Sequence, residues 1–249
     1  FLVIAVLCVS TSFAQSNESR DLLERVSETY KNASQFRFEG EMVRFLSTKL
    51  RNDIQKYSLT LAGTSSGKLL YLSDDSITPA HIIFDGTTLW RVFPGSRQYI
   101  QGSAQGDLRK IADGGQESKM AINRAHFEKE RYFRITENLL SSHLLPDETL
   151  DFDGQEVPCF VVHATYQPRS ISSSPMTIHR TFWIDKKTHL IRRDEFVQRG
   201  ALFPSAPFDE VDSRGIMKYH VASINVPPDD SFSLFTRDGI CSSLQSQCR

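Results

Sequence analysis

The sequence predicts an α+β fold: a curved antiparallel sheet with helices over its open mouth. Three observations predict it. One amphipathic stripe lies near the N-terminus, two-residue alternation fills most of the remaining chain, and the alternation stops between Gln105 and Leu145. Alternation marks a half-buried antiparallel strand, because successive side chains point to opposite faces of a sheet. So many strands leave edges that must be closed or covered, and a curled sheet under helices does both.

In chain order, Phe1–Val9 read FLVIAVLCV and are followed by the small polar run Ser10–Ala14. Ser12 and Ala14 fit the small-x-small pattern ahead of a signal peptidase cut. Residues 1–14 are therefore expected to be a signal peptide truncated at its own N-terminus, with the mature chain starting near Gln15 in the periplasm. The apolar run is less than half of the about 20 residues a membrane span needs. Leu7 stands where lipidation of Cys8 would require a small residue, which argues against a lipid anchor there.

From Ser16 to Ala33 the apolar positions Leu22, Leu23, Val26, Tyr30 and Ala33 make one helical stripe. The period then changes. Phe36, Phe38 and Met42 alternate with Arg37, Glu39 and Glu41, and Tyr57, Leu59 and Leu61 alternate with Ser58 and Thr60. GKLLYLS, AHIIFDGTTLWRVF, RQYIQG, EVPCFVVHATY, TIHRTFWID, HLIRRDEFVQ and MKYHVASINV continue the strand pattern. Asp85-Gly86, Asp153-Gly154 and Asp185–Thr188 supply the hairpin turns between them. In the interrupted block, DLRKIA, ESKMAINRAHFEKERYF and ITENLLSSHLL read as short helices, with Asp113-Gly114-Gly115 as a break. No linker divides residues 15–238, which are expected to form one domain, with residues 239–249 as a tail.

Charge excludes some partners. With 29 Lys+Arg against 30 Asp+Glu the net charge is -1, without the basic excess that nucleic acid or an anionic membrane surface would select. The 17 Phe supply more ring area than one thin core requires and point to an apolar cavity. Cys159, inside VPCFVV, reads as a small buried hydrophobe. Cys241 and Cys248 bracket CSSLQSQC, and a disulfide between them in an oxidising compartment would stabilise by about 2–3 kcal/mol.

Catalytic and metal motifs are weak. Gly63-Thr64-Ser65-Ser66-Gly67 matches G-x-S-x-G, but it separates two strand patterns instead of turning a strand into a helix. A hairpin loop explains it better than a Ser65 nucleophile. The seven His show no HExxH, HxH or paired Cys/His spacing, and there is no P-loop or GxGxxG. No metal, no cofactor and no enzymatic activity are expected.

The helix leading into QFRFEGEMV, then FDGTTLWRVFPGSRQYI, DGQEVPCFVV, FWIDKKTHLIRRDE and INVPPDDSFSLF, resemble the LolA/LolB-like periplasmic lipoprotein-carrier superfamily over Ser16 to Phe235. The resemblance implies an unclosed, half-open β-barrel with a helical lid over an aromatic-lined cavity for acyl chains. It implies a monomeric, non-catalytic protein that binds lipid or lipoprotein acyl chains in sorting to the outer membrane. An inner-membrane release complex and an outer-membrane acceptor would be its partners, with no nucleic acid. One departure weakens the carrier role: GKLLYLSDDSITPAHIIF lacks the Arg-Pro phrase of true carriers. The same fold serves envelope-stress sensors that bind a protein partner, which is the alternative. Phe36, Phe38, Met42, Leu59, Leu61, Trp90, Phe182 and Ile184 are the candidates for the concave, ligand-binding face. For each of them a place in a filled core is the competing reading.

Overall fold

The structure is a computed structural model that describes residues 2–47, 52–65, 67–74, 80–93, 98–103, 130–167, 177–201 and 210–225. Helix α1 spans Leu2–Lys31, followed by β1 (Gln35–Ser47), β2 (Asn52–Thr64), β3 (Leu69–Ser73), β4 (Ala80–Phe84), β5 (Thr88–Phe93) and β6 (Gln98–Ser103). The later strands are β7 (Leu139–Phe152), β8 (Gln155–Tyr166), β9 (Thr177–Asp185), β10 (Ile191–Ala201) and β11 (Glu210–Ile224). They form one sheet in the order β6-β5-β4-β3-β2-β1-β11-β10-β9-β8-β7, which does not close on itself. The chain divides into two compact units: residues 1–31, 41–56 and 132–220, and residues 32–40, 57–131 and 221–249.

In the first unit, Leu22, Leu23, Val26 and Tyr30 of α1 are buried, as their spacing requires. Polar contacts fix the helix beside them. Ser19 Oγ lies 2.9 Å from Ser142 Oγ on β7. Ser27 Oγ donates to the Phe133 carbonyl at 2.5 Å, and the Ile191 N–H donates to the Tyr30 hydroxyl at 3.0 Å. The helix begins well before the stripe, at Leu2, and no described helix is long and apolar enough to cross a membrane.

One helical expectation is corrected. The stretch from Ile135 to Leu145 is not a helix: residues 131–138 are turns, and Leu139 starts β7, which pairs antiparallel with β8. Asn138 has a φ of 59°, a left-handed conformation that ends any helix, and Asn tolerates it better than most residues. Pairing with β8 then overrides local propensity. Register shifts between Leu139 and Ser141 and between Leu145 and Glu148 break the alternation that would have revealed the strand. Pro146 sits in the second irregularity of a strand at the sheet edge, where a missing N–H is tolerated. The expected helices between Gln105 and Lys129, and with them the lid, lie outside the described residues.

The hairpin turns fall where the sequence placed them. Asp153 and Gly154 both have positive φ, 54° and 86°, as the two-residue β7–β8 turn demands. Between β9 and β10, Asp185 Oδ1 accepts the N–H groups of Lys187 at 2.8 Å and Thr188 at 3.2 Å. Arg192 Nη2 reaches Asp185 Oδ2 at 3.2 Å. Burial alone would raise the Asp185 carboxyl, but these bonds outweigh it and hold it below the usual carboxylate range. A depressed folded-state pKa adds stability above the unfolded pKa and loses it as pH falls through the folded value. Urea midpoints are therefore expected to fall as pH drops below about 4, and Asp185→Asn is expected to flatten that dependence while lowering stability at pH 7.

Candidate functional site

Register sorts the second unit's side chains into two faces. Leu61 pairs with Tyr71, Tyr71 with Ile82 and Ile82 with Arg91, so these residues share one face with Leu59, Leu69, Phe84 and Leu89. Every one of them is buried. Phe36 belongs to the same face. A Cβ added at Gly63 would lie 2.6 Å from Phe36 Cζ and 2.7 Å from the Lys68 carbonyl, so only glycine lets this ring settle on β2. Phe38 stacks on Phe36 with centroids 5.8 Å apart and planes inclined by 20°. Four of the eight candidates, Phe36, Phe38, Leu59 and Leu61, thus lie on or beside one apolar surface. Tyr71 and Arg91 bring the polar atoms to it.

Trp90 does not join them. It pairs with Ile83, which pairs with Leu70, itself opposite Ala62, and these residues cluster with Leu72 on the other face of the sheet. Trp90 and Leu61 thus lie on opposite faces of this part of the sheet. Strand parity places the indole opposite Ile83, and Leu61 is one residue out of step with Ala62.

Phe182, Ile184 and Met42 belong to the first unit, where all three are buried. Phe182 pairs with Val162 and Ile184 with Phe160. The Tyr166 ring meets Phe182 edge-on at 6.5 Å, and the Arg180 guanidinium lies over the Phe182 ring at 4.6 Å. Around them is a polar pin that sequence reasoning missed. Arg180 Nε donates to Asp194 Oδ1 at 3.2 Å, and its Nη2 pairs with Oδ2. The Tyr132 hydroxyl donates to Asp194 Oδ2 at 3.2 Å and lies 3.1 Å from that of Tyr219. Tyr166 OH donates to the Ile135 carbonyl at 2.8 Å, and burial pushes both Tyr166 and Tyr30 well above the usual phenol range. Phe182 and Ile184 are both fully buried, and the Tyr166 ring and the Arg180 guanidinium flank Phe182.

Two reactive readings have simple structural answers. Cys159 is fully buried, its thiol donates to the Val157 carbonyl at 3.4 Å, and burial, aided by Asp185, pushes it up to about 12. Such a thiol carries almost no thiolate at neutral pH. Ser65 lies in the hairpin between β2 and β3, where its N–H donates to the Ser34 carbonyl at 2.8 Å and Gly67 has a φ of 100°. That loop is not a strand-to-helix elbow. Cys241 and Cys248 lie outside the described residues.

No family model and no curated protein matches the chain. Solved structures do. A LolA superfamily protein from Nitrosomonas europaea is 16% identical over 89% of this chain and 98% of its own, with a TM-score of 0.30. The Mycobacterium tuberculosis lipoprotein LppX is 11% identical over 86% of this chain and 98% of its own, at 0.38. A DUF1329 family protein from Desulfovibrio piger is 11% identical over 90% and 98%, at 0.29. The chain is similar to LolA-like structures. At such scores the architecture rests on its own strand order and register.

Proposed function

We propose that the protein is a non-catalytic binder of an apolar ligand, a lipid or the acyl chains of a lipoprotein, in the cell envelope. The observation that carries this reading is the continuous apolar face of β2–β5, with the Phe36–Phe38 stack beside it. Acyl chains leave a bilayer with difficulty, because each buried CH₂ contributes about 0.8 kcal/mol. A carrier must offer a surface of matching polarity, and aromatic rings give large contact areas at little loss of side-chain freedom. The sequence phrases shared with the LolA/LolB-like superfamily support the same reading.

Delipidated protein is expected to bind a fluorescent fatty-acyl probe saturably, with a one-to-one endpoint. Native mass spectrometry of the protein before delipidation is expected to show a co-purifying lipid. An emission change that never saturates, with no adduct in the mass spectrum, would refute the proposal.

A further inference from the structure

Three imidazoles from three neighbouring strands stand side by side in the first unit. His143 of β7 is directly opposite His163 of β8, which is opposite Thr181 of β9, while His179 of β9 is opposite Thr165 of β8. The ring centroids of His143 and His163 are 5.1 Å apart, and those of His163 and His179 are 5.7 Å apart. Neighbouring Ser142 points to α1 through Ser19, so the row occupies the face of β7–β9 turned away from that helix. His143 and His179 are exposed and His163 is half-buried.

Two threonines orient two of the rings. His163 Nδ1 lies 3.2 Å from Thr181 Oγ1, and His179 Nδ1 lies 3.3 Å from Thr165 Oγ1. When Nδ1–H donates to the hydroxyl, the Nε2 lone pair is left for a ligand, as in metal sites whose histidines are held through the other ring nitrogen. A metal–nitrogen bond of about 2.0–2.1 Å places two imidazole centroids on one ion about 4.5–5.5 Å apart. The first spacing lies inside that range and the second just beyond it. Among the described residues no group of three His, Cys, Asp or Glu side chains is arranged to hold a metal ion as it stands. Closing the row takes side-chain rotation at the two exposed rings, His143 and His179, and at His179 that rotation gives up the Thr165 contact, so His163 alone keeps its threonine.

Burial lowers the His163 pKa, and the His143 and His179 rings lower it further. On β10, Glu195 lies opposite Thr181 but pairs with Arg193, whose guanidinium covers Trp183. On β11, Arg214 lies opposite Val197 and Lys218 opposite Arg193. On β7, Asp147 pairs with Lys186 and Glu148 accepts from Trp183 Nε1. The carboxylates near the row are thus engaged elsewhere, which leaves an all-imidazole donor set.

We propose that His143, His163 and His179 bind one divalent transition ion through their Nε2 atoms. Imidazole donors select Zn²⁺, Ni²⁺ or Cu²⁺ over the hard ions Mg²⁺ and Ca²⁺. The proposal is independent of the apolar ligand.

The test uses the full chain without a polyhistidine tag, stripped with chelator and titrated calorimetrically with ZnCl₂, NiCl₂, CuCl₂ and MgCl₂ at pH 7.5. One equivalent of at least one of the first three is expected to bind, with no heat from Mg²⁺. Affinity is expected to fall at least tenfold at pH 5.5, where protons compete for the same nitrogens. Cu²⁺ is expected to quench Trp183, which faces the same side two residues from Thr181. His143→Gln and His179→Gln, both exposed changes, are each expected to weaken binding at least tenfold, while His81→Gln in the other unit leaves it unchanged. Absence of saturable binding, or binding that survives both variants, overturns the proposal.

Discussion

Replacing Asp194 with alanine is expected to destabilise the unit containing β7–β10 by about 3–5 kcal/mol. The carboxylate is 1% exposed, while the Arg180 side chain keeps 17% of its surface in water. It accepts from Arg180 and from the Tyr132 hydroxyl. Removing it leaves a mostly buried guanidinium and a buried phenol facing a cavity. The Tyr132 side is the more costly one, since that ring is also packed against Tyr30 at 5.1 Å and Tyr219 at 6.1 Å. Urea unfolding measures the loss. The double variant Arg180→Met with Asp194→Leu is expected to recover most of it, because well-packed apolar residues often replace a buried ion pair without penalty. A loss below about 1 kcal/mol for Asp194→Ala would mean that Arg180 swings into solvent and the pair behaves as a surface contact.

The legible part of the sequence was local. Alternation at Phe36–Met42 and Tyr57–Leu61, the α1 stripe and the Asp-Gly turns are short-range patterns, and each describes the element it belongs to. The illegible part depends on register. TLWRVF shows the alternation of Leu89, Trp90 and Arg91, but only pairing with β4 decides which parity shares a face with Leu61. The β7 strand was hidden for a related reason, because its two irregularities erase the two-residue period over Leu139–Glu148. The histidine row is the extreme case. His143, His163 and His179 come from three strands, so no spacing rule brings them together, and only pairing across β7, β8 and β9 does. Arg180 and Asp194 meet in the same way, through the pairing of β9 with β10.

The contrast between Phe38 and Phe182 decides whether the β2–β5 face is a ligand surface or a filled core. Both rings are buried, but their neighbours differ in kind. Phe182 lies between the Tyr166 ring and the Arg180 guanidinium, over strands that the Arg180–Asp194 pair fixes. Its truncation to alanine leaves a void that such pinned surroundings fill poorly, so a loss of about 3–5 kcal/mol is expected. Probe affinity should not change. Phe38 stacks on Phe36, which rests on the bare backbone of Gly63. If that stack lines a surface built to receive acyl chains, Phe38→Ala removes ligand contact more than protein packing. The expected outcome is a stability loss clearly smaller than that of Phe182→Ala, with a several-fold change in affinity for the fluorescent acyl probe. Measuring both variants by urea unfolding and probe titration separates the two cases. Equal losses of stability with unchanged probe affinity would make Phe38 a core residue, and the apolar face of β2–β5 would then be packing alone.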